Sequence, residues 1–328
     1  MLDMQPDDQP VPPARTRLRK LLFVAGILTG VLLLVCGGGA IALRMYVGSV
    51  EGDVDRVDAF QGVPEQARPS KAPTNALNIL VLGSDSRADR DLDNDGSART
   101  DTIILVHIPA DRQTAQLISI PRDSWVHIPG KKFHKINAAY AFGGTPLMVQ
   151  TVESFTNVRI DHVVLIDFFG FKEVIDALGG VDIEVEREFK SSHPPFRVFR
   201  KGMQHMNGEV ALDYSRQRKQ FADGDFSRIE HQQQVIKAVM EQAASAGLLS
   251  DIPRLNSFLR ATANALTVDQ NMSLFDLALE LRQLRSHQLK FITSPSRGTG
   301  MEGNQSVVYV DEPKARELYA AVNADRVP

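Results

Sequence analysis

The sequence predicts an α/β fold, a central mixed sheet flanked by helices on both faces in an α-β-α sandwich, preceded by one N-terminal membrane-spanning helix. Two observations predict the sandwich. Short β-branched apolar runs alternate with longer stretches of helical spacing from Asn78 to the C-terminus, and that alternation suits a sheet covered on both sides. A third observation predicts the span: Leu21 to Leu43 is 23 residues without a charge. No fixed-period repeat interrupts the pattern.

The elements follow in chain order. Residues 1–20 are Pro- and Asp-rich and end in Arg15, Arg17, Arg19 and Lys20, which reads as a disordered tail with a basic flank. As a helix, residues 21–43 would reach roughly 34 Å, enough for a bilayer core of about 30 Å. Basic residues precede the span, and Glu51, Asp53 and Asp55 follow it. The tail is therefore expected in the cytoplasm and the rest outside the cell. A cleaved signal peptide is the rival, since Ala40-Ile41-Ala42 has a small-x-small form. The length of the apolar run favours an uncleaved anchor. Residues 44–77, with Gly52, Gly62, Pro64, Pro69 and Pro73, read as a linker or small spacer.

Within 78–328, strands are expected at 78–83, 102–108, 115–120, 162–166, 181–185, 288–293 and 306–310. Helices are expected at 146–155, 168–178, 225–246, 273–285 and 312–322. Gly179-Gly180 stops the second of these. Ser273-x-x-Asp276 opens the fourth as a capping box.

Composition excludes several classes. With 37 Lys+Arg, 40 Asp+Glu and a net charge of −3, the chain is not one that coats nucleic acid by bulk charge. Its single cysteine, Cys36, rules out an intramolecular disulfide and multi-Cys metal sites. No phosphate-binding P-loop, H-E-x-x-H helix or G-x-S-x-G elbow occurs. Asp91 to Gly96 begins like a calcium loop, but Thr102 stands where a bidentate Glu is required, so the stretch reads as a solvated acidic loop. The eight histidines show no ligand spacing. His107 reads as a hydrogen-bonded core or sheet-end residue, and Trp125 as packing in preference to stacking on a sugar.

What remains is a series of short polar blocks: Gly83-Ser84-Asp85-Ser86-Arg87, Arg99-Thr100-Asp101, Ile120-Pro121-Arg122-Asp123, Asp213 to Arg218, and Gly224 to Gln233. The first three sit at strand ends, where ligands of open α/β sheets bind. Arg228 and Gln232, four apart, share a helix face. Arg216 and Arg218 point together if their stretch is extended. Arginines about 4 Å apart repel by about 4 kcal/mol at an effective dielectric near 20. A cluster of five therefore implies an anion, and arginine's planar fork suits phosphate.

Taken together and in order, with Lys135 to Tyr140, Ala177 to Val181 and Gly202 to Gly208, these blocks resemble the LytR-CpsA-Psr family of bacterial envelope proteins over roughly Asn78 to Glu241. The resemblance implies transfer of an anionic glycopolymer from a polyprenyl-pyrophosphate carrier to peptidoglycan, forming a phosphodiester. It implies Mg²⁺ (or Mn²⁺) held by Asp85 and Asp101, and a pyrophosphate surrounded by Arg87, Arg99, Arg122, Arg216, Arg218, Arg228 and Gln232. Arg99, Asp101 and Arg122 would be catalytic, and Asp225 also matches the pattern. The expected partners are the lipid-linked glycopolymer, peptidoglycan and the membrane, with no nucleic acid. The family usually has Arg where this chain has His231, which predicts one cationic contact fewer. An apolar lipid pocket is implied, its lining unnamed. Asp101 and Asp123 are both candidates for the general base. A pyrophosphatase, a non-catalytic polyprenyl-phosphate binder or an envelope regulator are the alternative readings.

Overall fold

The computed structural model describes residues 51–84, 100–218, 221, 225–245, 247, 250–281 and 284–326. The expected tail and span, the acidic loop at 91–96, and Asp85, Arg87 and Arg99 lie outside the described residues. Among those described, no helix is long and apolar enough to cross a membrane.

A seven-stranded mixed sheet forms the centre. Its strands are β1 (Asp55–Val57), β2 (Leu77–Ser84), β3 (Thr100–Ile108), β4 (Ala115–Ser119), β7 (His162–Asp167), β12 (Leu266–Asp269) and β13 (Leu289–Thr293), in the order β1-β12-β7-β2-β3-β4-β13. β2 runs antiparallel to β3 and parallel to β7. The middles of β2 and β3 are apolar runs because both faces are covered. Leu80, Leu82, Ile103, Leu105 and Ile118 pack on one side, beneath helices α1 (Ala138–Thr156) and α7 (Glu312–Asn323). Ile79, Ile104, Leu117 and Val268 pack on the other, beneath α4 (Asp225–Ala243), α5 (Ile252–Ala265) and α6 (Leu274–Glu280).

A third apolar cluster lies beside the sheet. It joins α2 (Phe168–Ala177), α3 (Gly208–Ser215) and α4 to the hairpin of β8 (Val181–Val185) and β11 (Gly202–Met206). Two-residue strands β9 (Phe189–Lys190) and β10 (Val198–Phe199) extend it. The remaining strands are two hairpins, β5 (Trp125–His127) with β6 (Phe133–Lys135), and β14 (Ser296–Glu302) with β15 (Gln305–Val310).

Local sequence explains the ends of these elements. Asp167 caps α2 by accepting from the Gly170 amide at 2.6 Å. Gly179 and Gly180 stop α2 with φ of 77° and 97°. There the Gly180 amide reaches the Ile175 carbonyl at 2.9 Å, a left-handed exit that glycine takes without penalty. Ser273 caps α6 through the Asp276 amide at 3.1 Å. Helix α1 starts eight residues before the expected position at 146 and carries a kink at Gly143 and Gly144. Gly144, with φ 60° and ψ −156°, occupies backbone space closed to other residues.

The stretch read as a linker or spacer carries folded elements. β1 pairs in parallel with β12. Arg68 grips Glu153 of α1 with Nε at 3.1 Å and Nη2 at 2.7 Å, and Glu153 also accepts from the Ile160 amide at 2.9 Å. Both side chains are almost fully buried. Removing one partner strands the other charge in the core. Arg68→Ala is therefore expected to destabilise the fold by about 3–5 kcal/mol, read as a lowered urea midpoint at unchanged m-value. An apolar pair, Arg68→Met with Glu153→Leu, should recover most of the loss; no recovery would show that the pair acts otherwise.

Candidate active site

On the α4 side of the sheet, a cavity of about 380 Å³ opens between β2, β3, β7, α2 and α4. Four arginines (Arg122, Arg216, Arg218 and Arg228), two aspartates (Asp101 and Asp167), His193 and Gln232 line part of it. Val81, Ile104, Val164, Phe171, Val235 and Met240 line another part.

The polar and apolar groups are sorted along each element. On the sheet the polar positions come at one end: Asp101 near the start of β3, and Asp167 at the end of β7. Ile104 and Val164 lie towards the strand middles. Along α4, Arg228 and Gln232 come first, and Val235, Ile236, Val239 and Met240 follow. These six positions recur at helical spacing, so one helix face changes from cationic to apolar over three turns. The site can therefore hold a charged head and an apolar tail at once.

The head end is built from strand-end and helix-end residues. Arg122 lies in the loop after β4 and forms an ion pair with Asp101 on β3. Its neighbour Asp123 pairs with Lys135 at 3.0 Å. Arg228 is buried, with 4% of its surface exposed. Arg216 closes the C-terminus of α3 and lies over the Phe168 ring at 4.6 Å, a cation–π contact.

Gln217 positions the two arginines beside it. Fully buried, it donates from Nε2 to Asp213 Oδ1 at 2.6 Å and to Ser191 Oγ at 2.9 Å, and accepts from the Ser192 amide at 2.9 Å. Arg216 is not extended, at φ −97° and ψ −6°, so the condition set for a shared direction is not met. Both arginines nevertheless line the cavity, because a buried anchor between them holds the backbone.

Six expected residues thus come together in one cavity: Asp101, Arg122, Arg216, Arg218, Arg228 and Gln232. Asp85, Arg87 and Arg99 lie outside the described residues; Ser84 and Thr100, which flank that stretch, pair with each other. Asp123 does not line the cavity. Asp167, Phe168 and His193 line it and were not expected. Asp167 ends a strand, so the strand-end criterion applied to the other blocks would have found it.

Other family blocks are scaffold. Asn207 caps α3 by accepting from the Val210 amide at 3.0 Å. Gly208 packs so closely that a Cβ there would lie 2.4 Å from the Lys172 carbonyl oxygen.

His231 faces away from this cavity. It lines a separate, smaller pocket with Glu186, Arg187 and Phe221, and its ring lies 4.4 Å from Tyr214 and stacks on Phe189 at 5.7 Å. Helical geometry turns each residue about 100° from the last, so a neighbour of Gln232 need not share its face. The expected loss of one cationic contact therefore does not apply to the cavity as it stands.

Burial lowers the His231 pKa to about 4. A lowered pKa means that the unfolded chain binds the proton first. The stabilisation is complete above about pH 6.5 and declines as pH falls toward 4, by up to roughly 3 kcal/mol. His231→Phe is expected to flatten the acid limb of urea midpoints measured between pH 4.5 and 7.5. An unchanged acid limb would remove His231 as its source.

His107, also buried, bonds Asn78 Oδ1 at 2.8 Å and Asp325 Oδ1 at 3.1 Å, a core histidine as expected.

Comparison with known proteins agrees with this architecture. The chain is 36% identical over 268 residues to a Bacillus cereus protein, "Polyisoprenyl-teichoic acid--peptidoglycan teichoic acid transferase TagU", covering 79% of this chain and 82% of the relative. It is 31% identical over 296 residues to Bacillus subtilis TagV, of the same printed activity, covering 88% and 73%. Among solved structures, B. subtilis TagV superposes with a TM-score of 0.65 at 29% identity, over 76% of this chain and 97% of that one. TagT bound to LI-WTA superposes at 0.61 and 26%, over 79% and 96%. The model of the LytR_cpsA_psr family matches residues 47–324. By that match, over most of its length, the protein belongs to the LytR-CpsA-Psr family.

Proposed function

We propose that the protein transfers an anionic glycopolymer from a polyprenyl-pyrophosphate carrier to peptidoglycan. The observation that carries this reading is the graded cavity, with arginines at one end of α4 and the sheet and aliphatic residues beyond them. A pyrophosphate with a polyprenyl tail has the same order of chemistry. The printed activity of the relatives, a transferase joining polyisoprenyl-linked teichoic acid to peptidoglycan, supports it.

In the reaction, an acceptor sugar hydroxyl attacks the phosphorus that carries the glycan. A new P–O bond forms and the bridging P–O bond of the pyrophosphate breaks. The products are a phosphodiester and polyprenyl phosphate, and the hydroxyl proton passes to a base. Such transfer is largely positioning and charge stabilisation. Arg122, Arg216, Arg218 and Arg228 would hold the phosphate oxygens, and Gln232 would donate a hydrogen bond to them. Stabilising the charge on departing polyprenyl phosphate lowers the barrier only where the contact strengthens at the transition state.

Both carboxylates are ion-paired, Asp101 with Arg122 and Asp123 with Lys135, but only Asp101 lines the cavity, so Asp101 is the better placed base. Asp101 also suits a share in Mg²⁺ binding with Asp85, because Mg²⁺ takes one or two carboxylates together with substrate phosphates. When bound, the ion would supply charge neutralisation at the pyrophosphate. The uncharged run from Leu21 to Leu43 supports a single-pass anchor with the catalytic part outside the cell, which raises the local concentration of a lipid-borne substrate.

The test incubates the full chain in detergent with Mg²⁺, a lipid-pyrophosphate-linked glycan and uncrosslinked peptidoglycan strands. Covalent transfer of labelled glycan to the strands is expected. Phosphate release without transfer would replace the reading with a pyrophosphatase, and binding without turnover with a carrier-binding protein.

A further inference from the structure

Among the described residues that line the arginine cavity, His193 is the one side chain able to give up a proton near neutral pH. Arginine keeps its proton, amides and hydroxyls do not release theirs, and a carboxylate is already ionised. An imidazole exchanges its proton between about pH 5 and 8. His193 sits in the loop between β9 and β10, partly exposed. Its backbone is fixed at both ends: the amide donates to Ser191 Oγ at 3.0 Å, and the carbonyl accepts from the Phe196 amide at 2.7 Å.

The ring is backed by a buried carboxylate. Nδ1 lies 3.7 Å from Asp213 Oδ1, within ion-pair range, and 3.2 Å from Gln217 Nε2. Gln217 has both amide hydrogens committed, to Asp213 Oδ1 and Ser191 Oγ. A bare Nδ1 would set its lone pair against the Asp213 carboxylate, so Nδ1 keeps a hydrogen of its own. That fixes the tautomer and leaves Nε2, across the ring, as the atom that gains and loses a proton. Asp213 Oδ2 is buried without a hydrogen bond, 3.6 Å from Arg197 Nη1. A carboxylate so enclosed attracts a second positive charge, which the imidazolium supplies. The same cavity brings four arginines to the other side: Arg216 and Arg218 after α3, Arg228 on α4 and Arg122 after β4. Asp101 on β3 and Asp167 on β7 are its carboxylates.

We propose that His193 is the proton donor of the transfer reaction. The inference rests on the reaction proposed above. As the bridging P–O bond breaks, its electron pair stays on the oxygen that departs with polyprenyl phosphate. His193, as imidazolium, passes its Nε2 proton to that oxygen and is left neutral. The proton of the acceptor hydroxyl goes separately to Asp101, and exchange with water restores both groups. A phosphate monoester takes up its second proton near pH 6 and an imidazole near 6.5, each about. Donor and acceptor are therefore closely matched, the condition in which general-acid catalysis is most effective. The arginines can neutralise the departing charge but cannot complete this step. His193 stands in Ser191-Ser192-His193-Pro194-Pro195, outside the blocks that carry the family resemblance.

The test follows single-turnover transfer by the full chain in detergent, with Mg²⁺, the lipid-pyrophosphate-linked glycan and peptidoglycan strands, from about pH 5.5 to 9. The wild-type rate should fall on the alkaline side as the imidazolium loses its proton. His193→Gln is expected to lower the rate about 10²-fold near neutrality, to remove the alkaline limb, and to keep the half-saturating donor concentration within about 2-fold. Imidazole added to His193→Ala should restore the rate by about 10-fold, an effect that a scaffold role does not produce. A wild-type rate with no alkaline limb would overturn the proposal, whether or not the variants fold. So would a slow His193→Gln that keeps the wild-type limb, or a folded His193→Ala, at an unchanged urea midpoint, that imidazole does not rescue. Wild-type protein that hydrolyses the donor without transferring glycan would overturn the proposed acceptor alone. The His193 step is then read from the pH profile of hydrolysis, because the leaving group is the same. Wild-type protein with no turnover would overturn both.

Discussion

Arg122→Ala is expected to lower the transfer rate by about 10²–10³, the usual effect of removing one preorganised donor from a developing oxyanion. Arg122 is the cation tied directly to Asp101, and both line the polar end of the cavity. The effect should fall mainly on kcat, because the contact strengthens as charge moves onto the departing phosphate. Arg122→Lys should recover only part of the rate, since an ammonium lacks the paired geometry of guanidinium. The substitution also frees the Asp101 carboxylate. A variant that raised the donor KM while preserving kcat would show that Arg122 only binds.

Val239→Trp is expected to abolish use of the lipid-linked donor while leaving the protein folded. Val239 lines the apolar part of the cavity on the same helix face as Arg228 and Gln232. Tryptophan there would fill the space in which the tail is proposed to lie. Burying one CH₂-sized group is worth about 0.8 kcal/mol. Excluding a single five-carbon unit therefore costs about 4 kcal/mol, roughly 10³ in Kd. A water-soluble glycan pyrophosphate with no lipid should bind this variant and the parent alike. Unchanged donor affinity would place the tail elsewhere. The two variants divide the cavity: Arg122→Ala should impair the head step, and Val239→Trp the tail.

Local rules located the elements where a stretch carried its own signal. β8 runs from Val181 to Val185 as expected, and α7 extends its expected range by one residue. Strongly periodic segments bury the face that their spacing marks. Most of the elements missed were short or lacked contrast; α5 is the exception, a 14-residue helix whose Asp251 cap accepts from the Arg254 amide at 3.1 Å. β14, Ser-Arg-Gly-Thr-Gly-Met-Glu, holds one apolar side chain and exists because β15 pairs with it. β5 and β6 have three residues each. β1 was hidden within a Gly- and Pro-containing stretch, and its partner β12 lies more than 200 residues later.

The candidate site divides in the same way. Its residue types, six arginines and several aspartates in ordered blocks, were legible because charge and spacing are properties of the chain. Which neighbour faces the substrate was not. Gln232 lines the cavity and His231 enters an aromatic cluster, although one peptide bond separates them. Arg216 and Arg218 both line the cavity about a buried Gln217, whose partners Ser191 and Asp213 the sequence does not connect to it.

The sequence by itself determined the fold class and the inventory of charged groups, and its ordered blocks carried the resemblance to the family. The first two follow from local spacing and residue chemistry. The tertiary structure alone decided which arginines converge, where aliphatic lining succeeds them, and that His193 lines the same cavity. Those outcomes depend on helix rotation and on strand register between distant segments, set by the packing of the whole core.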